Sequence, residues 1–164
     1  MIVVADTSPL RYLILIDHTH VLPALYGHVL IPPAVSAELG RQRTPDLVRA
    51  WLAQPPSWLE VRAPQSPPVG LLPHLGMGER EAIALAEELA ADAVLLDDRP
   101  ARLEAERRHL NVLGTLRVLA DAAELGFADL ALALDRLQQT NLRARPELIR
   151  ALLDRYIQRQ RKQS

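Results

Sequence analysis

The chain has 164 residues, of which 49% are hydrophobic, and this length and composition predict one compact domain that spans residues 1–164. Because the sequence contains no cysteine, it excludes disulfides, thiolate zinc sites and cysteine nucleophiles, so any metal must bind to oxygen or imidazole. The formal net charge of −1 gives no overall attraction to nucleic acid or to a membrane surface.

The N-terminal segment predicts a buried strand followed directly by a helix. It lacks the basic region and cleavage site of a secretion signal, and no run of about 18 apolar residues occurs in the chain, so we expect a cytoplasmic protein without membrane contact. Residues 2–5 are apolar, as in a parallel strand buried on both faces. Asp6 ends this strand, and Ser8 and Pro9 are typical of a helix start.

Strands and helices then alternate along the chain. Short apolar runs predict the strands, and prolines or capping residues followed by apolar residues at helical spacing predict the helices. This alternation is typical of a doubly wound α/β sheet, whose ligand site lies at the carboxyl ends of the strands. The further predicted strands cover residues 28–31, 58–61, 93–96 and 111–113, and the later helices cover 33–39, 44–52, 79–90, 100–109, 115–126, 129–138 and 146–160.

Two segments depart from this alternation. Four prolines between residues 64 and 73 predict an extended loop rather than a domain linker, because too little chain lies on either side for separate cores. Residues 143–164 carry seven basic residues against two acidic ones, which would suit contact with phosphate or an acidic partner. An exposed helix surface is the favoured interpretation, because arginine is the usual surface cation of this chain.

Six acidic residues are candidate metal ligands, because they fall at or near strand ends on four separate segments. Carboxylate oxygens at one edge of a sheet suit Mg²⁺ or Mn²⁺, and crowded carboxylates repel one another unless a cation or protonation relieves the repulsion. One or two divalent ions held in this way would support hydrolysis of a phosphodiester. The candidates are Asp6, Glu38, Glu79, Glu81, Asp97 and Asp98.

Each candidate also has a purely structural interpretation. Function is favoured most strongly for Asp6, because a carboxylate that ends an apolar strand is costly to bury without a partner. Glu38 is equally consistent with a solvated position on a helix, and Glu79 with a favourable charge near a helix N-terminus. Glu81 points about 200° away from Glu79 on a helix, so the two are not equivalent as ligands.

The other polar residues near the strand ends also have both a functional and a structural interpretation. Asp97 and Asp98 point in opposite directions on an extended segment, so one of them would cap the next helix, and Asp98 is slightly favoured as the ligand. Ser8 and Thr115 are predicted to be helix caps rather than site residues, because each precedes a helical pattern. The histidines are scattered along the sequence and do not predict a metal site.

Five short motifs follow one another along the chain: DTSPL (6–10), VSAEL (35–39), GEREAIALA (78–86), LLDDRPAR (95–102) and GTL (114–116). Each motif alone is weak, but the ordered set is fairly specific. The same order is found in PIN domains, and the chain resembles the prokaryotic PIN subfamily related to VapC-type toxin ribonucleases. The motif core covers residues 1–120, and residues 121–164 form a helical C-terminal extension that also looks similar to that subfamily.

The resemblance implies a three-layer α/β/α fold with a central five-stranded parallel sheet and extra C-terminal helices. It also implies Mg²⁺ or Mn²⁺ binding, endoribonuclease activity on RNA, homodimerisation and inhibition by a cognate antitoxin. Counting back from the fourth strand favours Glu81 over Glu79 as the site residue of this helix. The chain departs from common toxin members in having glutamate at this position and in its Asp-Asp-Arg sequence after the fourth strand. The catalytic cluster carried over by position is Asp6, Glu38, Glu81 and Asp98.

Two other functions are compatible with the sequence. A catalytically weak PIN-like module that binds RNA or protein and acts in regulation would fit the modest net charge. A phosphoacceptor receiver domain also collects acids at strand ends, but that chemistry needs a lysine near a late strand. The chain offers only Lys162, which lies in the last predicted helix, so we rank the receiver domain low.

Overall fold

Five parallel strands form the central sheet in the residues that the computed structural model describes, 1–66, 70 and 73–164. Every neighbouring pair of strands is parallel. The strands are β1 (Val3–Ala5), β2 (Val29–Ile31), β3 (Leu59–Val61), β4 (Ala93–Leu95) and β5 (Val112–Leu113), and their spatial order is β3-β2-β1-β4-β5. The prediction of a five-stranded parallel sheet is confirmed.

Helices cover both faces of this sheet and complete three layers. Within the described residues they are α1 (Thr7–Leu15), α2 (Val21–Tyr26), α3 (Pro33–Leu39), α4 (Asp46–Ala53), α5 (Met77–Glu88), α6 (Arg99–Arg107), α7 (Thr115–Glu124), α8 (Leu130–Gln138) and α9 (Pro146–Gln163). In that part of the chain, no helix combines the length and the apolarity needed to cross a lipid bilayer. The predicted α/β/α architecture with additional C-terminal helices is therefore confirmed.

The two faces of the sheet bury separate cores because successive side chains of a strand point in opposite directions. Val3 and Ala5 of β1 belong to the larger core, which also contains residues of α1, α2, α7 and α8. Val4 faces the other way, into a smaller core with residues of α5 and α6. All three β1 side chains are fully buried, which explains the uninterrupted apolar run in the sequence.

The strand order places the topological switch point of the sheet between β1 and β4. The chain moves outward from β1 to β2 and β3, then returns to β4 on the other side of β1. In such sheets the ligand crevice lies at the carboxyl ends of the two strands where the order reverses. A receiver domain has the order 2-1-3-4-5, so the observed order is not that of a receiver domain.

Most element boundaries agree with the prediction, and the differences have local causes. Helix α2 is not among the helices predicted from the sequence; its Pro23 lies in the first turn, where the missing N–H has no partner to lose. Helix α5 begins at Met77 rather than at residue 79, because the Glu79 side chain accepts the N–H of Gly76. The predicted loop over residues 64–73 lies partly outside the described residues.

Candidate active site at the carboxyl ends of β1 and β4

A cavity of about 550 Å³ opens at the carboxyl ends of β1 and β4, and acidic side chains line it. Asp6 follows β1 directly, and its backbone N–H donates to the carbonyl oxygen of Leu95 in β4 at 3.0 Å. This bond holds the two strand ends together at the switch point. Four of the six predicted acids line the cavity: Asp6, Glu38, Glu79 and Asp98. We call this cavity the acidic pocket.

Asp6 is the most deeply buried of these acids, with 3% of its surface exposed. Its Oδ1 atom is buried and has no hydrogen-bond partner among the described residues. The pKa of Asp6 is raised to about 7, mainly by burial and in addition by the charges of Glu79, Glu38 and Asp97, while the N–H of Thr7 opposes the increase. The ionised carboxylate is therefore unfavourable at neutral pH unless a cation compensates its charge.

Glu38 is held in the pocket by donors from two other helices. The hydroxyl of Thr7 in α1 donates to its Oε2 atom, and the backbone N–H of Gly78 in α5 donates to Oε1 at 3.1 Å. A Cβ atom on Gly78 would lie 2.7 Å from Oε2, so any other residue at this position would displace the Glu38 carboxylate. The glycine therefore allows α5 to approach the carboxylate. The geometry gives Glu38 a fixed orientation that a merely solvated helix residue would not need.

Glu79 and Asp98 lie beside each other on the other side of the pocket. The Oε2 atom of Glu79 accepts the N–H of Gly76 at 3.0 Å. Burial raises the pKa of Glu79, and the neighbouring Asp98 and Glu38 add to this increase. Asp98 is exposed and stands at the N-terminus of α6, where its side chain makes no capping hydrogen bond. Its carboxylate is thus not occupied by the helix that follows it.

Asp97 lies next to the pocket but is engaged elsewhere. Its Oδ1 atom accepts the backbone N–H of Thr115 at 2.8 Å, and its Oδ2 atom accepts the Thr115 hydroxyl at 2.7 Å. Burial raises the pKa of Asp97, and these two donors together with Arg102 and Arg11 oppose the increase. Both oxygens therefore fasten the start of α7 to the end of β4. We assign Asp97 a supporting position behind the acidic pocket.

Glu81 is not among the described residues that line the acidic pocket, although the sequence analysis favoured it over Glu79 as a site residue. Its Oε2 atom accepts the backbone N–H of Ala34 at 2.8 Å, in the first turn of α3. Residues two apart on a helix point about 200° from each other, so only one of the two can face the pocket. Counting from β4 does not determine how α5 is rotated, and contact with α3 and Gly76 turns Glu79 inward instead.

The predicted capping roles of the nearby hydroxyls are wrong. Asp6, not Ser8, occupies the N-cap position of α1, and Ser8 lines the acidic pocket. Gly114 occupies the N-cap position of α7, while the hydroxyl of Thr115 bonds to Asp97. Sequence patterns place a hydroxyl near a helix start correctly but do not show that a carboxylate lies within its reach.

Basic side chains at the rim of the pocket were not predicted. Arg11 of α1 is half-buried, its guanidinium lies 5.0 Å from the ring centre of Tyr12, and its Nε atom has no hydrogen-bond partner among the described residues. Arg41 and Arg43, both exposed, line the same cavity from the loop after α3. Arg11 stands one helical turn after Ser8, a spacing that could have suggested it. Acids below and cations at the rim suit a phosphate ester.

The donor set of the pocket fits a hard divalent cation. The buried, unpartnered Oδ1 atom of Asp6 and three further carboxylates offer the oxygen ligands that Mg²⁺ and Mn²⁺ prefer. In the described residues, no three histidine or acidic side chains are already close enough together to hold an ion. Mutual repulsion of the carboxylates is a physical reason for this separation, since binding of a cation would remove the repulsion.

Comparison with known proteins agrees with the fold. The chain has an acidic pocket at the switch point of a parallel α/β/α sheet, and residues 2–158 match the family described as a PIN domain. The chain therefore belongs to the PIN-domain family. PIN domains are generally nucleases, so this membership indicates nuclease-type activity.

One solved structure supports the fold independently. The chain is similar to a PilT N-terminus domain protein from the hyperthermophilic archaeon Sulfolobus solfataricus P2, with a TM-score of 0.55 and 19% sequence identity. The match covers 76% of this chain and 95% of that chain. At this level of identity the likeness extends to the fold alone. Among the curated proteins, none matches this sequence.

Proposed function

We propose that this protein is a metal-dependent endoribonuclease that hydrolyses RNA phosphodiester bonds in the acidic pocket. The observation that carries the proposal is the buried Asp6 carboxylate, whose Oδ1 atom has no partner among the described residues and which shares a cavity with three further acids. A protein maintains such an arrangement at a cost in stability, and functional sites are where such costs are found. Membership of the PIN-domain family points to the same chemistry.

In this proposal Asp6 and Glu38 hold Mg²⁺ or Mn²⁺ with their carboxylate oxygens, and Asp98 and Glu79 complete the acidic cluster. A bound divalent cation would supply positive charge to the phosphate and lower the pKa of water. Thr7 and Gly78 keep the Glu38 carboxylate in one orientation through their hydrogen bonds. The orientation of the Glu38 carboxylate is thus fixed by α1 and α5 before any ion binds.

Other groups of the pocket bind and orient the substrate. The guanidinium groups of Arg11, Arg41 and Arg43 at the rim can each donate two parallel hydrogen bonds to a phosphate. Glu79, whose Oε2 atom accepts the N–H of Gly76, is the carboxylate that we propose accepts a proton from the attacking water. Its raised pKa suits a proton acceptor near neutral pH better than an ordinary glutamate does.

The biological role that we propose is that of the toxin in a toxin–antitoxin pair, acting as a homodimer and inhibited by a cognate antitoxin. The resemblance of the five motifs to VapC-type toxin ribonucleases supports this role. Expression of the chain alone should then arrest growth, and Asp6→Asn should relieve the arrest. Growth after induction of the wild-type chain at the same level as the variant would contradict the toxin role without affecting the proposed chemistry.

The test of the chemistry is cleavage of RNA by the purified full chain. We expect cleavage with Mg²⁺ or Mn²⁺, none with a chelator, and a loss of at least about 100-fold for Asp6→Asn. Asp154→Asn is the matched control, because Asp154 is exposed on α9 and makes no ion pair among the described residues. A folded wild-type protein that leaves varied RNAs intact with both ions would overturn the proposal.

A second candidate is a catalytically weak PIN-like module that binds RNA or protein. The observation in its favour is that no three potential ligands in the described residues are already grouped around a common point. Mn²⁺ titration separates the two functions. A nuclease should gain thermal stability on addition of the ion, and Asp6→Asn should abolish the gain, whereas a binding module should contact its partner equally well with and without the metal.

A further inference from the structure

A second cavity, of about 760 Å³, lies beside the acidic pocket and has the opposite charge. It is enclosed by the N-terminal ends of α6 and α7, the connection between α8 and α9, and the first turns of α9. Four leucines contribute apolar surface to it: Leu116, Leu142, Leu148 and Leu152. Its lining includes six arginines: Arg99, Arg102, Arg117, Arg143, Arg145 and Arg155. We call this cavity the arginine groove.

The positive charge of the arginine groove is largely uncompensated. Among the described residues, Arg117 is the one groove arginine with an ion pair, which it forms with Asp121 at 2.8 Å. The acid that lines the groove, Asp97, accepts two hydrogen bonds from Thr115 and interacts electrostatically with Arg102, so it offsets at most one of the six positive charges. Guanidinium groups gathered in one concave surface repel one another unless an anion lies between them. Because the whole chain has a net charge of −1, this excess is a local feature.

The arginine groove begins where the acidic pocket ends. Asp98 lines the pocket and Asp97 lines the groove, so adjacent residues at the end of β4 border the two cavities. Arg99, the first residue of α6, follows immediately and also lines the groove. A chain of phosphates bound at the pocket can therefore continue into the groove without leaving the surface.

We propose that the arginine groove binds the single-stranded RNA that flanks the cleaved bond, an assignment that rests on the proposed ribonuclease function. Guanidinium groups match phosphate oxygens with paired hydrogen bonds, which gives affinity without sequence preference. The leucines offer apolar surface to base faces, and those faces are accessible in single strands but not inside a duplex. An acidic polypeptide would use the arginines but would have no phosphate in the adjoining pocket.

This assignment divides the basic C-terminal segment into two groups. Arg143, Arg145 and Arg155 line the groove, whereas Arg159 pairs with Glu124. Arg150 and Arg161 are exposed on α9 and do not line the groove among the described residues. The interpretation of this segment as exposed helix surface therefore applies to Arg150 and Arg161. Substitution of these two arginines removes the same charge and provides the control.

The test measures binding of fluorescently labelled single-stranded RNA by anisotropy, with a chelator present so that cleavage does not interfere. We compare Arg143→Gln/Arg145→Gln with the control Arg150→Gln/Arg161→Gln. For an oligonucleotide of about 16 residues, the groove variant should bind at least about tenfold more weakly than wild type, and the control should be unchanged. An oligonucleotide of about 4 residues should show a smaller effect, since it cannot fill both cavities.

The salt dependence gives a second readout that general destabilisation would not produce. For single strands, the slope of log K against log salt concentration changes by about 0.7 for each phosphate that the protein no longer neutralises. The slope of Arg143→Gln/Arg145→Gln should therefore decrease in magnitude by up to about 1.4. The slope of Arg155→Gln, an independent exposed position in the groove, should decrease by up to about 0.7. Circular dichroism of all variants checks that they fold alike.

Two results would overturn the groove assignment: equal RNA affinity in wild type and groove variant, or equal weakening by the groove and control pairs. Polyglutamate that binds as tightly as RNA and is weakened by the same variants would assign the groove to an acidic protein instead. Failure of the proposed function is distinguishable. In that case RNA binding still depends on Arg143 and Arg145, but wild type cleaves no RNA with either ion.

Discussion

The Oε1 atom of Glu38 accepts the backbone N–H of Gly78 at 3.1 Å, and this contact joins α3 to the first turn of α5 at the floor of the acidic pocket. The absence of a side chain at Gly78 is what permits it, since an added Cβ would lie 2.7 Å from the other carboxylate oxygen. The relationship links two motifs 40 residues apart in the sequence. It also gives a direct way to disturb one candidate ligand without removing it.

Gly78→Ala should reduce RNA cleavage and Mn²⁺ affinity by roughly 10- to 100-fold, the usual effect of losing a group that orients a metal ligand. The new methyl group displaces the Glu38 carboxylate while leaving its charge in place. Gly40→Ala is the matched control, because its Cβ would meet neighbours no closer than 3.5 Å and its φ of −89° suits any residue. Unchanged cleavage and Mn²⁺ affinity in Gly78→Ala would show that the orientation of Glu38 does not matter.

Asp6→Asn should change how stability depends on pH. The pKa of Asp6 is raised from 3.8 to about 7 in the folded protein, so between these values the native state holds a proton that the unfolded chain has released. Increasing pH through this range therefore lowers the free energy of unfolding of the wild type, by up to about 4 kcal/mol at about 1.4 kcal/mol per pKa unit. The variant cannot ionise, and its decrease should be correspondingly smaller.

Chemical denaturation at about pH 5 and about pH 8, with a chelator present, measures this difference. Asp154→Asn should retain the wild-type decrease, because Asp154 is exposed on α9. Addition of Mn²⁺ at the higher pH should restore stability to the wild type but not to Asp6→Asn. The same decrease in both proteins would mean that Asp6 ionises in the folded protein as readily as in the unfolded chain, despite its burial.

The fold was largely predictable because its main signals are local. Short and mainly apolar runs give the strands, and two of these runs are followed by an acid, Asp6 or Asp97, at the sheet edge. Which carboxylates face one another was less predictable. Glu79 and Glu81 lie on the same helix, and only the contact of α5 with α3 and Gly76 determines which one turns inward. Arg11 was not predicted to be a site residue, because an arginine on a helix is usually part of the exposed surface.

Thr115→Val should destabilise the protein by about 1–3 kcal/mol, because it removes a hydroxyl donor from the largely buried carboxylate of Asp97. The Thr115 backbone N–H and the charges of Arg102 and Arg11 remain, but without the hydroxyl they oppose the effect of burial less well, so the pKa of Asp97 should rise further. The loss of stability should therefore be greater at neutral than at acidic pH. Thr115→Ser keeps the hydroxyl and serves as the control in thermal or chemical unfolding.

A decrease in stability in Thr115→Ser as large as that in Thr115→Val would assign the effect to packing of the methyl group instead. RNA cleavage offers a separate measurement on the same variants. Because Asp97 supports the start of α7 from behind the pocket, cleavage by the folded Thr115→Val protein should fall less than it does in Asp6→Asn. An equal fall would place Asp97 among the residues that act directly.

Glu79→Gln and Glu81→Gln should differ in their effects on RNA cleavage and on stability, although only Arg80 separates the two residues in the sequence. Glu79 lines the acidic pocket, so its neutral variant should lose RNA cleavage and, with the repulsion from Asp98 removed, gain stability in the absence of metal. Glu81 accepts the N–H of Ala34 with Oε2, and glutamine can still accept this bond. Its variant should therefore cleave RNA like the wild type and lose about 1 kcal/mol or less of stability.

Initial cleavage rates at saturating Mn²⁺, with unfolding curves for both proteins, give the comparison. Loss of cleavage in Glu81→Gln but not in Glu79→Gln would restore the ligand that the sequence favoured and would require α5 to rotate when the ion binds.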